Sequence, residues 1–310
     1  MKFSITIALL LAQLLAQTAS ADSTPATFAY VLQADALAKT KPAAVTQIAN
    51  SGRDWIVLDA VFGDDVPWAR ADIEAIRHGQ QRRKVLAYIS IGEAEDYRPY
   101  WQKKWRQKGS LTAAAPVWLG AENQKWKGNY RVKYWHAEWQ KRMLAAIDDI
   151  MAHGFDGVYL DIVDGFEMFE RVGKKYMSDR VNPETKQSYR RDMVDWVKTI
   201  AARVRTKNSA ALVIPQNGSQ LLAHEDFLDI ISAIGIEDLF TNDDMLQHKS
   251  NTNEVLNYLK KMSAKNKPVL LIEYPKTSAL QALSKKLAHE NGLIWLVTNR
   301  QLTTLGVSGS

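Results

Sequence analysis

Acids close two apolar runs of the chain, Gly154-Phe155-Asp156-Gly157-Val158-Tyr159-Leu160-Asp161 and Ala233-Ile234-Gly235-Ile236-Glu237-Asp238. Both runs read as buried strands. Taking a polar group out of water without a partner costs about 2–7 kcal/mol, and an unpaired charge costs more. Carboxylates placed here therefore have partners that offset this penalty, or they are there to react. Paired carboxylates suit hydrolysis of a glycosidic bond, where one acid protonates the leaving oxygen and the other attacks the sugar or activates water. Period-two alternation puts Gly157, Tyr159 and Asp161 on one face of their strand, and Gly235 and Glu237 on one face of theirs. The small residues beneath each acid are expected to leave room for substrate. Glu273, after Leu270-Leu271-Ile272 and before Tyr274-Pro275, is a third candidate.

Other chemistries have little support. The six histidines (His78, His136, His153, His224, His248, His289) are scattered, cysteine is absent, and no HExxH spacing exists for zinc. Neither a GxSxG elbow nor a GxGxxG or P-loop turn is present. A hard cation held by Asp161, Asp164 and Glu273 is the weaker alternative. Gln216 and Asn217 look more like ligands of sugar hydroxyls than parts of a metal shell. No metal and no cofactor are expected.

Eight strand-like segments must position these acids: 27–33, 54–62, 84–91, 154–162, 211–215, 231–236, 268–273 and 292–297. Several are continuous β-branched runs, as expected for parallel strands covered on both faces. Helical spacing recurs between them, over 71–80, 137–153, 184–207, 253–265 and 277–290. Asn253 and Thr277 suit N-caps, and Gly154 and Gly292 suit the residue that ends a helix. Strands alternating with helices in one chain predict an α/β fold, a single (β/α)₈ TIM barrel over residues 22–302. In such barrels the site lies at the C-terminal strand ends. Those ends carry Asp59, Glu93, Glu95, Asp161, Asp164, Gln216, Asn217, Glu237, Asp238, Glu273 and Asn299. Helix capping accounts for a few of them, not for a ring of acids and amides. With strands about 4.8 Å apart, Asp161 and Glu237 start roughly 10 Å apart at the backbone. Converging side chains would bring their carboxyls to about 5–9 Å, the range of glycosidase pairs.

The first residues read as a leader. Lys2, the apolar stretch Ile5–Leu15 and Ala19-Ser20-Ala21 form a secretory signal over residues 1–21, too short to span a membrane stably. The expected product begins near Asp22, is secreted or periplasmic, and has no membrane anchor. The 310-residue chain can bury a sufficient core without disulfides even after losing its leader. A monomer is expected. The formal charge of +6 is spread along the chain, and no basic run exceeds Gln80-Gln81-Arg82-Arg83-Lys84. That favours solubility over nucleic-acid binding, and no nucleic-acid partner is expected. The Gly/Ser-rich end, 303–310, is expected to fray as a flexible tail.

The second signal is aromatic. Trp101, Trp105, Trp118, Trp126, Trp135 and Trp139 lie with Tyr97, Tyr100, Tyr130 and Tyr134 in one long excursion after the third strand. Loops this long in compact domains are usually functional. Flat aromatic faces suit pyranose rings, although some must pack over the barrel top. Interleaved Lys103, Lys104, Arg106, Lys108, Lys125, Lys127, Arg131 and Lys133 keep single-stranded nucleic acid as an outside reading.

Several ordered segments resemble glycoside hydrolase family 114. They are Ala87–Glu95 (AYISIGEAE), Trp118–Asn123 (WLGAEN), Gly128–Trp135 (GNYRVKYW), Gly154–Asp161, Pro215-Gln216-Asn217-Gly218 and Ile236-Glu237-Asp238-Leu239-Phe240. The resemblance runs from about Phe28 to Asn299 and implies a barrel with endo-α-1,4-polygalactosaminidase activity on galactosamine-containing exopolysaccharide. It implies Asp161 and Glu237 as the two catalytic acids. By analogy with retaining α-glycosidase barrels, Asp161 is the nucleophile and Glu237 the acid/base. Asp59, Tyr88, Glu93, Trp135, Tyr159, Asp164, Gln216, Asn217, Asp238, Glu273 and Tyr274 are expected to bind the polysaccharide. Two departures stand out: His136 where an acidic residue is expected after Tyr134-Trp135, and a longer loop over 172–184. A deacetylated galactosamine polymer is cationic and the chain is basic, so the acid ring must supply the local attraction. The competing class is a non-catalytic secreted barrel that binds glycan during polymer assembly or export. It would not need both Asp161 and Glu237.

Overall fold

The computed structural model describes residues 24–63 and 65–309; the expected leader, 1–21, lies outside them. All eight expected strands form: β1 Phe28–Val31, β2 Trp55–Asp59, β3 Lys84–Ser90, β4 Gly157–Asp161, β5 Leu212–Pro215, β6 Ile234–Glu237, β7 Val269–Glu273 and β8 Ile294–Val297. β1 to β5 pair in parallel in sequence order, and so do β6 to β8. A parallel bridge from Gln216 to Gly235 joins the two sheets.

Alternation along each strand sorts the side chains into two cores. Phe28 and Tyr30, Trp55 and Val57, Leu86 and Tyr88, Tyr159, Leu212 and Ile214, Ala233, Leu270 and Ile272, and Ile294 and Leu296 pack together inside. Every strand contributes to this interior except where glycine stands, which is how a filled (β/α)₈ barrel is built. The opposite faces meet the helices in the larger outer core. Helices α1 Lys41–Ala49, α2 Arg70–Arg77, α3 Ala137–Ala152, α4 Tyr189–Lys207, α5 Glu225–Ile230, α6 Lys249–Ala264 and α7 Ser278–Glu290 follow the first seven strands in turn.

Local chemistry sets the helix ends. α4 starts at Tyr189 rather than 184 because Ser188 Oγ accepts from Arg191 N–H. α6 starts before the expected Asn253 cap, because the His248 ring accepts from Ser250 N–H. His136 caps α3 in the same way, its ring nitrogen accepting from Glu138 N–H. The imidazole thus does the work expected of an acid there. Gly154 and Gly292 adopt φ of 91° and 66°, the left-handed conformation that ends α3 and α7.

Two expectations are corrected. The terminal segment does not fray: β9, Val307–Gly309, pairs antiparallel with β8, and Ser308 Oγ accepts from Phe28 N–H. Among the described residues no ladder joins β1 to β8, and this strand covers the seam, which is why a Gly/Ser-rich end is ordered. The excursion after β3 is not mainly a sugar-stacking surface. It forms a three-stranded sheet, with Asn129–Val132 between Glu93–Glu95 and Leu119–Glu122. Trp105, Trp118, Tyr130, Tyr134 and Trp139 are buried beneath it. Trp105 meets Trp118 edge-on at 5.5 Å, and Trp118 meets Trp139 at 5.1 Å. Of its aromatics, Tyr97 and Trp126 are the exposed ones, at 53% each. The expected loop over 172–184 begins as a hairpin, Arg171–Val172 against Lys175–Tyr176.

Candidate active site

The chain leaves three neighbouring strands through left-handed corners. Ile162 follows Asp161 at φ 55°, Asn217 follows Gln216 at 61°, and Asp238 follows Glu237 at 53°. For a β-branched residue such as Ile162 this conformation is strained, and it persists only where surrounding contacts enforce it. Asp161 Oδ1 accepts from Ile162 N–H at 2.7 Å and helps to hold the corner. Gly92 makes room for it, since a Cβ at Gly92 would lie 2.2 Å from the Ile162 carbonyl oxygen.

These corners open onto a cleft of about 870 Å³ at the C-terminal strand ends. On its floor, Asp161 Oδ2 accepts from the Tyr88 hydroxyl at 2.7 Å. Glu237 is held from three sides. Gln216 Nε2 donates at 2.6 Å and Asn217 Nδ2 at 3.3 Å to Oε2, while the Tyr274 hydroxyl donates to Oε1. Burial raises the proton affinity of both acids. Asp161 rises from the usual carboxylate value, with Tyr88 and the Ile162 N–H opposing the shift. Glu237 is pushed up to about 7 by burial first and by the Asp161 charge second. The arrangement provides one carboxyl that holds its proton near neutrality beside a second whose negative charge helps to keep that proton in place, as general acid catalysis requires.

The expected ligands divide into two groups. Tyr88, Glu93, Asp164, Gln216, Asn217 and Tyr274 line the cleft with Asp161 and Glu237. Five others do not. Tyr159 is fully buried in the barrel interior, and its hydroxyl sits 1.8 Å from where a Gly235 Cβ would be. The space beneath Glu237 is thus filled by the Tyr159 ring and is not a substrate pocket. Glu273 is fully buried, and its carboxylate accepts from Phe240 N–H, Thr241 N–H and the Thr241 hydroxyl. It therefore holds the β6 corner and does not join Asp161 and Asp164 in a cation site; among the described residues no such metal cluster exists. Trp135 packs on Phe169 and Tyr189 and donates its Nε1–H to Glu184 at 2.8 Å. Asp59 is clamped by Arg98 through two bonds of 2.7 Å, and Asp238 by Arg300 at 2.7 and 2.9 Å.

Two arginines escaped the sequence reading because a search of strand ends for acids passes over their partners. Arg300 lies face-on over the Tyr274 ring at 4.1 Å, so it positions the phenol that donates to Glu237. Arg98 bridges Asp59 to Glu95, with 2.7 Å from Nε to Glu95 Oε2. Glu95, Asp59 and Arg98 are largely buried, with side chains 4%, 12% and 13% exposed. Arg98→Met should cost about 3–5 kcal/mol of stability by leaving two inward-facing carboxylates without their cation. Chemical denaturation at pH 7 measures this, and a loss under about 1 kcal/mol would show that solvent already screens the pair.

The sequence model of glycoside-hydrolase family GH114 matches residues 12–309. The chain belongs to this family. Uncharacterized proteins of Deinococcus radiodurans and Methanocaldococcus jannaschii are 33% and 37% identical to it. Those alignments cover 83% and 74% of this chain, and 77% and 63% of the relatives. The glycoside hydrolase domain of PelA from Pseudomonas aeruginosa superposes with a TM-score of 0.65 at 17% identity, over 92% of this chain and 99% of that one. Aspergillus fumigatus Ega3, solved with galactosamine, gives 0.64 at 18% identity, over 95% and 99%. At such identities the likeness is one of fold. Family GH114 membership makes this barrel a glycoside hydrolase, with its acid-lined cleft at the end where barrel enzymes carry their sites.

Proposed function

We propose that the protein is a secreted, endo-acting hydrolase of α-1,4-linked galactosamine polymer, with Asp161 as nucleophile and Glu237 as acid/base. The observation that carries the reading is the pair of buried carboxyls on the cleft floor, Asp161 held by the Tyr88 hydroxyl and Glu237 pushed up to about 7 by burial and by the Asp161 charge. Asp161 Oδ attacks the anomeric carbon while Glu237 gives its proton to the departing glycosidic oxygen. Water then hydrolyses the glycosyl ester, losing its proton to the Glu237 carboxylate, and Asp161 leaves as the free anion. The amides of Gln216 and Asn217 keep Glu237 facing the cleft through both steps. An amino sugar fits the acid floor, and the galactosamine bound to Ega3 makes this polymer the first substrate to try.

The direct test is release of new reducing ends from partially deacetylated α-1,4-galactosamine polymer by the chain from Asp22. Polymer that binds but is never cut would favour the non-catalytic glycan-binding barrel. The pH profile is a second expected result. kcat/KM should fall on the acid side as Asp161 takes up a proton. It should fall on the alkaline side through about pH 7 as Glu237 loses the proton it must donate. The Tyr274 hydroxyl stabilises ionised Glu237, so Tyr274→Phe should move the alkaline limb to higher pH. An unmoved limb would assign that titration to another group.

A further inference from the structure

The cleft holds an acid that the proposed chemistry does not use. Glu93 follows β3 in the first strand of the excursion sheet and lines the cleft wall, with the residue only 1% exposed. Asn123 Nδ2 donates to its Oε1 at 2.9 Å. Its Oε2 is buried and accepts no hydrogen bond of good geometry, although the Asn129 side-chain amide lies close enough to the carboxyl to favour its ionised form. A desolvated carboxylate oxygen left open in this way is costly unless something that enters the cleft donates to it.

The surrounding charge says what kind of donor fits. Glu95 and Asp161 both lie near enough to repel the Glu93 anion, adding to the upward shift that burial causes, while Asn123 and Asn129 oppose it. The nearby Arg98 is already shared between Asp59 and Glu95, two acids to one cation. Arg300 is spent on Asp238 and Asp243. Lys125 and Lys127 line the cleft too, but among the described residues neither forms an ion pair with Glu93, and Lys127 lies 3.8 Å from Glu122. The immediate surroundings of Glu93 thus have an excess of negative charge and one open acceptor. A neutral hydroxyl would satisfy the acceptor alone, whereas a protonated amine satisfies both. A charge-assisted hydrogen bond is about twice as strong as a neutral one.

We propose that Glu93 is the specificity-determining residue that reads the amino group of the substrate sugar, accepting a hydrogen bond from a free 2-ammonium and discriminating against the 2-acetamide. The inference rests on the amino-sugar reading above and adds to it which residue does the selecting. An acetamide is uncharged and presents a single N–H crowded by its acyl group. It leaves the excess charge uncompensated and Oε2 poorly paired.

The test uses the folded chain and two readouts. Binding of galactosamine, galactose and N-acetylgalactosamine is measured by NMR titration for the wild type, Glu93→Gln and Glu93→Asp. kcat/KM on deacetylated and on fully acetylated polymer is measured beside it. The wild type should prefer galactosamine by about 10–100-fold, the range of a charged hydrogen bond. Glu93→Gln should abolish that preference, bringing the affinities for galactosamine and galactose together. Glu93→Asp keeps the charge and draws it back by one methylene; it should lose most of the preference and serves if the amide variant does not fold. Preference unchanged in a folded Glu93→Gln, or absent from the wild type, would overturn the assignment. The two proposals fail separately. A wild type that cuts no polymer but shows Glu93-dependent galactosamine binding would sink the hydrolase reading and keep this one. Polymer cleavage whose deacetylated-to-acetylated ratio survives Glu93→Gln would do the reverse.

Discussion

Asp161→Asn and Glu237→Gln should each abolish release of reducing ends from the polymer, for different chemical reasons that an aryl substrate separates. Without Glu237 no proton reaches the leaving oxygen, and general acid–base groups contribute typically about 10²–10⁴-fold. An aryl galactosaminide with an acidic phenol needs no such proton, so Glu237→Gln should still form the glycosyl ester on it. Azide, which needs no general base, should then release the sugar as the glycosyl azide. Asp161→Asn has no attacking oxygen anion, and a better leaving group should not restore it. If both variants respond alike to the aryl substrate, the assignment of nucleophile and acid is wrong. If either fails to fold, the acids are structural and the site assignment falls.

The same variant carries a stability signature. The folded-state value of Glu237 is raised to about 7, against about 4.3 in an unfolded chain. The stability tied to this group is present below the unfolded value and is lost as pH rises through the folded one. Glu237→Gln lacks that loss, so its advantage over wild type should grow between about pH 4 and 7. Thermal melts across that window measure it. A constant difference would mean that the carboxyl is not held protonated.

Gly235→Ala should be among the most damaging single-methyl changes in the molecule. The added Cβ would lie 1.8 Å from the Tyr159 hydroxyl and 2.8 Å from the ring carbon that bears it. Neither neighbour is a free-swinging tip. The Tyr159 ring is fully buried and packs on Tyr30 at 5.1 Å. Gly235 itself bridges to Gln216, and its carbonyl accepts from Asn217 N–H at 2.8 Å. Any relief must shift the residues that hold Glu237. Overpacking of this kind costs about 1–3 kcal/mol or more, and turnover should fall with it. Adding Tyr159→Phe removes the atom in hardest contact and should recover much of the stability. Melting temperatures of the two single variants and the double variant decide it. No coupling between the two sites would mean that the barrel interior yields elsewhere.

Much of this architecture was legible in the residue pattern. Continuous Val/Ile/Leu runs can be stable only between two apolar layers, so the eight strands and their order could be read directly. So could the two acids at the ends of β4 and β6, because charge at the end of a buried run is conspicuous. The aromatic excursion misled, since a tryptophan offered to a sugar and one buried against α3 have the same local pattern. Trp118 and Trp126 differ only in what lies above them. The terminal segment misled for a related reason: Gly and Ser lower the local preference for order, and only the open seam beside β1 and β8 supplies partners for the backbone.

Residue types and period-two spacing by themselves determined the barrel, the end at which its site lies, and Asp161 and Glu237 as the candidate pair. The tertiary structure alone decided which acids stay available. Asp59, Asp238 and Glu273 sit at strand ends just as Asp161 does, but Arg98, Arg300 and the Phe240–Thr241 turn engage them. Those partners are distant in sequence. Asp161 and Glu237 also accept hydrogen bonds, but from neutral donors and while facing the cleft. Which of these fates a carboxylate meets depends on the groups folding brings within about 3 Å of it.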